Sequence, residues 1–524
     1  MTLECEPATK KFTQRIGKHR NMFPSGTTAT KSHLHKHNLP EHTQCVLGKT
    51  GLRASRIGFG CYRLDAVTLA HEEALRYALT SGINLIDTST NYGDGESEQL
   101  VGKVVHDLLA EKKISREEII VVSKAGYVQG QNLKLALERE RNGAPFPEMV
   151  KYMEGCWHCL HPEFLADQLE RSLARLQLSS LDVLLLHNPE YFLSHAHKHG
   201  APVRAARAEY YRRLALAFEF LERKVAEGKI GWYGVSSNTF PKPSEDAEFT
   251  SLEEVWSLAE RLTPQHHFAV IQFPMNLFES GAAFELNQRD DTQTLLAFAR
   301  EHGLATLANR PLNAMTGRDM MRLADFETID LPLPRAEKIY PMQLALLAAL
   351  ENEFTDEIAP HFKLHTHLQN VEEIFNWAEQ LENGVQQFRD WAHWDHVKQY
   401  TIVPHCERAL HFLRNFAEND EAWIEWENRY REELNRVLQL LSRIHSRDAA
   451  QKSRALNSPL EQHVPELATT ASLSQKALRV LLNTNGLDVV LLGMRRMEYV
   501  DDGLQALRAE PITNINRAYL SWKN

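Results

Sequence analysis

Four polar side chains stand at the ends of three consecutive apolar runs. Asp87 follows Leu85-Ile86, Lys124 follows Val121-Val122-Ser123, and His187 follows Leu184-Leu185-Leu186, with Tyr92 five residues beyond Asp87. An acid, a phenol, an ammonium group and an imidazole converging on one mouth would form a proton-handling site. A free phenol titrates near ~10 and is a weak acid at neutral pH. An adjacent ammonium favours the phenolate and lowers that value, while a carboxylate keeps the lysine charged and oriented. Tyr92 would donate a proton to a carbonyl oxygen as hydride arrives at carbon, and His187 would hydrogen-bond the same oxygen. Singly, each residue has a blander reading: an aspartate after a strand is commonly a cap, and a lone histidine is commonly structural. Their joint placement is the specific signal.

Such convergence needs a scaffold that brings strand ends together. From residue 45 onward, short apolar or β-branched runs occur at 57–60, 84–87, 119–123, 181–187, 231–236, 268–272, 304–308 and 488–492. Helical patterns separate them at 71–81, 162–176, 211–227, 252–262 and 292–302. Eight strands with helices between them predict an α/β fold, a parallel (β/α)8 TIM barrel whose reactive groups sit at strand C-terminal ends. Residues 45–56, with Lys49-Thr50-Gly51 between two strand-like pieces, read as a β-hairpin ahead of the first barrel strand. The seventh and eighth strands are too far apart for one helix, which predicts an α-helical insertion over 316–465. Its helical spacing includes Leu344, Leu347 and Phe354; Leu364, Leu368, Val371 and Phe375; and Leu410, Leu413 and Phe416. The strongest helix runs from Trp423 and Trp426 through Tyr430, Leu434, Val437 and Leu441 to Ile444, with Asn419 or Asp420 as its N-cap. The barrel then comprises 45–315 and 466–524.

On these residues a resemblance emerges. The spans 83–104, 121–124, 172–187 and 231–238 resemble the aldo-keto reductase superfamily. Its Asp, the Tyr five residues later, and the Lys and His on the next two strands fall on Asp87, Tyr92, Lys124 and His187. The run Ser172-Leu173-Ala174-Arg175-Leu176 followed by Leu181-Asp182 also matches the stretch before the family's histidine. The resemblance covers the whole barrel and leaves out the N-terminal region and the insertion. It implies an oxidoreductase interconverting an aldehyde or ketone with its alcohol. The implied cofactor is a nicotinamide, NADP(H), bound in extended form. Gly58-Phe59-Gly60 lacks the third glycine of a dinucleotide fingerprint and reads as strand packing. By resemblance, Ser236, Ser237, Asn238 and Gln272 meet the nicotinamide carboxamide, with the choice between the two serines open. Arg310, Leu312 and Asn313 follow the seventh strand as further cofactor contacts. Gly493-Met494-Arg495-Arg496 resembles the family's glycine-x-arginine turn, where arginine suits a 2′-phosphate through bidentate contacts. The chain departs from the family at Asn309, where many relatives carry an aromatic stacked on the nicotinamide; another aromatic, such as Phe273, could substitute. It departs again at Asp502-Gly503, where relatives often carry Glu-Asn. Two alternatives stay open: an NAD(P)-dependent sugar (aldose) dehydrogenase, and a non-catalytic cofactor-sensing regulatory subunit on the same fold.

Composition narrows the classes further. Fifty-nine Lys+Arg against 69 Asp+Glu give a net charge of −10, the wrong sign for a general nucleic-acid binder. The longest apolar runs, at 344–350 and 489–492, fall far short of the about 20 residues a membrane span needs. The expected partner is therefore a small carbonyl or alcohol, without nucleic acid or membrane; oligomeric state is not readable. Six cysteines in so long a chain point to a reducing compartment, the cytoplasm, rather than a disulfide scaffold. Residues 1–44 are basic and lack an apolar period, which predicts a disordered tail that includes the cluster His33, His35 and His37. Phe12, Ile16, His19 and Phe23 could face one side of an organelle-targeting helix, against which Glu4 and Glu6 count. Cys156-Trp157-His158-Cys159 has thiol spacing that suits zinc or redox chemistry, but no second ligand pair accompanies it; leading into a helix at Pro162 is the simpler role, and no metal site is expected. His195, His197 and His199 read as solvated loop residues.

Overall fold

The computed structural model describes residues 26–316, 319–326, 333–362, 364, 373–384, 387–388, 391–417 and 420–520. The basic residues up to 25, with Phe12, Ile16, His19 and Phe23, lie outside this set, as do Leu368, Val371 and Asn419. Two units are present: one comprises residues up to Leu312 together with Glu466 onward, and the other spans 313–465.

In the first unit, eight parallel strands close into a barrel: β1 (Ile57–Gly60), β2 (Leu85–Asp87), β3 (Ile120–Ala125), β4 (Leu181–His187), β5 (Ile230–Ser236), β6 (Phe268–Pro274), β7 (Ala305–Asn309) and β8 (Val489–Leu492). Each strand pairs with its sequence neighbours, and β8 returns to β1 through Val490–Ile57 and Leu492–Phe59. Strands this apolar are buried on both faces, as a parallel sheet covered by helices requires. Leu85, Ile120, Val122, Val183, Leu185, Val270, Leu307, Val489 and Leu491 fill the interior. Gln44–Val46 and Arg53–Ser55 form the antiparallel hairpin, whose Leu47, Leu52 and Ala54 join the same core and close the end where the strands begin. The opposite end, where strands finish, is left for polar chemistry.

Local sequence explains the helix boundaries. The helix Pro162–Leu176 starts with proline at its first position and stops at Gln177 in a left-handed conformation (φ 54°). Ser251 caps the helix Leu252–Leu262 by accepting from the Glu254 N–H.

The tail expectation is corrected for residues 26–44. Thr27–Lys36 is a helix, α1, with Thr30, His33 and Leu34 buried, and Glu41–Thr43 adds a 3-10 turn. The Gly26 N–H donates to the Glu117 carbonyl at 3.1 Å, and Thr30 Oγ1 accepts from the Arg53 N–H at 3.1 Å. The buried side of α1 is mostly polar, so no apolar period announces it. His195 and His197 likewise lie on a helix, Tyr191–Lys198, capped by His199, and the His195 and His199 rings stack 4.1 Å apart.

The second unit is helical. Its long helix Glu421–His463 begins at Asp420, whose side chain accepts from the Ala422 and Trp423 N–H groups. Trp394, Trp426, Tyr430, Phe354 and Phe375 centre its core, surrounded by Leu347, Leu410, Leu413 and Val437. A hairpin of Asn313–Thr316 and Asp319–Arg322 opens the unit. Among the described residues, no helix is long and apolar enough to cross a membrane.

Candidate active site

Strand register brings the predicted polar residues to one level. Asp87 pairs with Val122 and Lys124 with Leu185, while His187, Ser236 and Gln272 stand opposite one another across β4, β5 and β6. Tyr92 arrives on a one-turn 3-10 segment, Tyr92–Gly95, that folds back over the mouth. Gly93 and Gly95 there have φ of 55° and 97°, a region glycine enters without steric cost.

Lys124 is the hub. Its ammonium donates to Asp87 Oδ2 at 2.7 Å, to the Thr88 carbonyl at 2.9 Å and to the Tyr92 hydroxyl at 3.1 Å. Burial works against the lysine charge, yet Asp87 and Tyr92 outweigh it, and the Lys124 pKa ends raised. Burial also pushes the Tyr92 phenol up to about 12, against the pull of the Lys124 charge. That net direction is opposite to the lowering expected from the ammonium alone. The Tyr92 ring meets His187 edge-on at 5.9 Å and Tyr62 at 5.2 Å. Burial first, then the Lys124 and His158 charges, hold the His187 pKa well below the ordinary histidine range, so its ring is neutral.

Gln272 joins this network rather than standing apart from it. Its Nε2 donates to Asp87 Oδ1 at 2.8 Å, and its Oε1 accepts from Ser236 Oγ at 3.1 Å and Asn309 Nδ2 at 3.3 Å. The Ser237 N–H donates to the Gln272 carbonyl at 2.9 Å, and its hydroxyl shares a bond with Thr239 Oγ1. The Asn238 N–H donates at 2.8 Å to Glu190, a carboxyl that burial pushes up to about 7.

The other predicted cofactor residues are dispersed. Arg310, with φ of 54°, donates to Glu279 Oε1 at 2.6 Å, and Leu312 is buried. Asn313 opens the second unit, where its Oδ1 accepts from Arg322 at 2.6 Å. Gly493 and Arg496 are exposed and Arg495 half-buried on the turn before the helix Met497–Arg508; neither arginine makes an ion pair among the described residues. Phe273 is fully buried in β6, while the Asn309 Oδ1 is buried without a hydrogen-bond partner among the described residues.

Several neighbours of the site were not singled out from sequence. Ser89 bonds His187 Nδ1, and Asn91 bonds Ser89. After β3, strands Tyr127–Val128, Val150–Met153 and Cys156–His158 form a small antiparallel sheet. From it, His158 Nε2 donates to the His187 carbonyl at 2.7 Å, and the Tyr127 ring packs edge-on against His187 at 4.7 Å. Gly126 is required between them: a Cβ there would lie 2.7 Å from His158 Nε2 and 2.8 Å from the His187 carbonyl. The run Cys156-Trp157-His158-Cys159 therefore contributes its histidine to a wall beside His187. Cys156 and Cys159 are free thiols, raised by burial (Cys159 to about 12), and among the described residues no group of ligands suits a metal.

The Aldo/keto reductase family model matches residues 56–326. Aldo-keto reductase YhdN of Bacillus subtilis is 27% identical over 293 residues, covering 54% of this chain and 67% of that protein. L-galactose dehydrogenase of Arabidopsis thaliana is 31% identical over 151 residues, covering 28% of this chain and only 38% of its own length. Among solved structures, an aldo/keto reductase from Klebsiella pneumoniae in complex with NADP and acetate aligns at 16% identity, covering 91% of this chain and 95% of that one with a TM-score of 0.41. The family model spans more than half of the 524 residues, including every strand of the barrel from β1 to β7. This chain belongs to the aldo/keto reductase family.

Proposed function

We propose that the chain is an NADP(H)-dependent oxidoreductase that interconverts an aldehyde or ketone with its alcohol. The observation that carries this reading is the buried Asp87–Lys124–Tyr92 chain, with the phenol at one end and a neutral imidazole beside it. A Tyr92 pKa near 12 keeps the proton on the phenol throughout the physiological range, ready to be given. As a carbonyl oxygen gains negative charge, Tyr92 donates to it, and the Lys124 ammonium at 3.1 Å stabilises the phenolate left behind. Asp87 balances the ammonium and holds it in place between reactions.

The residues fit a nicotinamide dinucleotide. Ser236, Ser237, Asn238 and Gln272 offer amide and hydroxyl groups at the strand ends next to Asp87, and Asn309 has a buried acceptor without a partner among the described residues. Arg310 is already paired with Glu279, which leaves Arg495 and Arg496, beside the open Gly493, as the cations for a 2′-phosphate. When bound, the nicotinamide would supply the hydride.

Single-turnover oxidation of bound NADPH by a panel of carbonyls tests the reading, because it isolates chemistry from product release. Tyr92→Phe should bind the cofactor normally yet transfer hydride ~10²–10⁴-fold more slowly. A Tyr92→Phe chain that reacts at the parental rate would remove Tyr92 from the role.

A further inference from the structure

The turn of the N-terminal hairpin carries an amine that the chemistry at the other end of the barrel does not use. Gly48 there has φ of 46°, and a Cβ on it would fall 2.2 Å from the Gly303 carbonyl, so the turn requires glycine. The next residue, Lys49, donates its N–H to that same carbonyl at 2.7 Å. This pins its backbone at the end where the barrel strands begin. Lys49 is exposed, yet its amine turns back onto the protein. Nζ donates to His266 Nδ1 and to the His266 carbonyl, both at 3.1 Å, and lies 5.0 Å from the centre of the Trp256 ring. That ring packs edge-on against His266 at 4.6 Å and His302 at 4.8 Å. Every partner of the amine is neutral: an imidazole nitrogen, a carbonyl and an indole face. His266 is buried, and burial followed by the Lys49 charge brings its pKa down to about 4, so its ring carries no charge. Lys49 makes no ion pair among the described residues. Burial of the amine outweighs the more distant Glu222 and Glu260 and lowers its pKa to about 8. A carboxylate partner acts in the opposite direction: the hydrogen bond from Lys103 to Glu72 raises the Lys103 pKa.

We infer that Lys49 is a modification site, at which small aldehydes condense reversibly with the amine to form an imine. The ammonium first gives one proton to water. With its two remaining N–H groups held by His266, the free amine has an uncommitted lone pair. That pair forms a bond to the carbonyl carbon, and a proton passes from nitrogen to oxygen. The carbinolamine then loses its hydroxyl and its last N–H proton as water, leaving a C=N bond; nothing is oxidised or reduced. What the product keeps favours an aldehyde over an acyl donor. A protonated imine is still a cation against the indole and still has one N–H for His266, whereas an amide loses the charge that the ring attracts.

The full chain is treated with acetaldehyde and sodium cyanoborohydride, which reduces the imine and locks the label, and limited reaction is read by peptide mass spectrometry. At pH 7 Lys49 should be ethylated roughly tenfold faster than Lys103 or Lys151, because more of it is free base. Lys151 is the sharper control. It lies 4.4 Å from the Trp157 ring but is also paired with Glu140 at 2.9 Å, so it shares the aromatic neighbour and adds the carboxylate. The ratio of Lys49 to Lys151 labelling should fall towards one above about pH 10, where both amines are largely free base. Trp256→Ala opens the amine to water and should slow Lys49 to the pace of Lys151, while Trp256→Phe keeps an aromatic face and should keep the parental ratio. Should Trp256→Ala fail to fold, the pH profile of the parent still decides. Without reductant, the intact mass should return to the parental value on dilution. Equal labelling of the three lysines at pH 7 overturns the proposal. So does a ratio that stays high at pH 10, which would assign the fast label to accessibility alone, and so does an adduct that survives dilution without reductant, which would not be an imine.

Discussion

A buried ammonium ion is tolerated only where each of its protons finds a partner, and Lys124 meets that condition with three oxygens. One of those oxygens belongs to Tyr92, so the solution to a burial problem also places a cation against a phenol. This much was legible in the sequence, because Asp87, Lys124 and His187 each end an apolar run and Tyr92 follows at a fixed spacing. The Gln272–Asp87 bond and the Ser89–His187 bond were not legible, since both join residues on different strands through side chains whose rotamers no linear pattern specifies. The sign of the Tyr92 shift was misread for a related reason: the ammonium is visible in sequence, while the depth of burial that outweighs it is not. At the cofactor end, Arg495 and Arg496, which make no ion pair among the described residues, lead to a discriminating prediction. Replacing both with Ala should weaken NADPH binding by ~10–100-fold, the loss of charge-assisted hydrogen bonds, and leave NADH binding nearly unchanged. Fluorescence titration with both cofactors checks this, and equal losses for the two would mean that the arginines do not read the 2′-phosphate.

Elements with an apolar period were the easiest to place. The strand Leu181–His187 and the helices Pro162–Leu176 and Leu252–Leu262 have the boundaries that their runs and caps indicate. The helix α1 shows the opposite case. Of its three buried residues, Thr30 and His33 are polar, so only Leu34 signals a core contact, and one leucine makes no pattern. Its remaining anchors are hydrogen bonds to segments near 53 and 117, which depend on tertiary structure. Leu34 is fully buried, and deleting most of its side chain should leave a cavity. Leu34→Ala should therefore destabilise the barrel unit by ~2–5 kcal/mol, while Lys31→Ala on the exposed side should stay within about 0.5 kcal/mol. Urea unfolding followed by far-ultraviolet circular dichroism measures both. Equal stability of Leu34→Ala and the parent would show that α1 adds nothing to the fold.

The whole molecule has two cores rather than one, and they differ in what charge they enclose. The barrel keeps the buried Lys124 paired, whereas the helical unit encloses a carboxyl, Glu351, that has no cation partner among the described residues. Glu351 accepts the N–H groups of Trp377 and Ala378 at 2.9 and 3.1 Å, yet burial outweighs these bonds and pushes its pKa from 4.5 up to about 7. The native state therefore holds this proton more tightly than the unfolded chain does. Its contribution to stability is fully present below the unfolded value of about 4.5, falls as pH rises, and is gone above about 7. With about 1.4 kcal/mol for each pH unit, the helical unit should lose on the order of 3 kcal/mol across that window. Glu351→Gln is neutral at every pH and should remove this slope. Five of the nine tryptophans (Trp377, Trp391, Trp394, Trp423 and Trp426) belong to the helical unit, so intrinsic fluorescence is weighted towards its unfolding. Melts at pH 5 and 7.5 should show Glu351→Gln gaining on the parent as pH rises. A difference between the two proteins that stays constant with pH would mean that Glu351 is ionised in the native core from the start, and that its two backbone donors suffice to hold the charge.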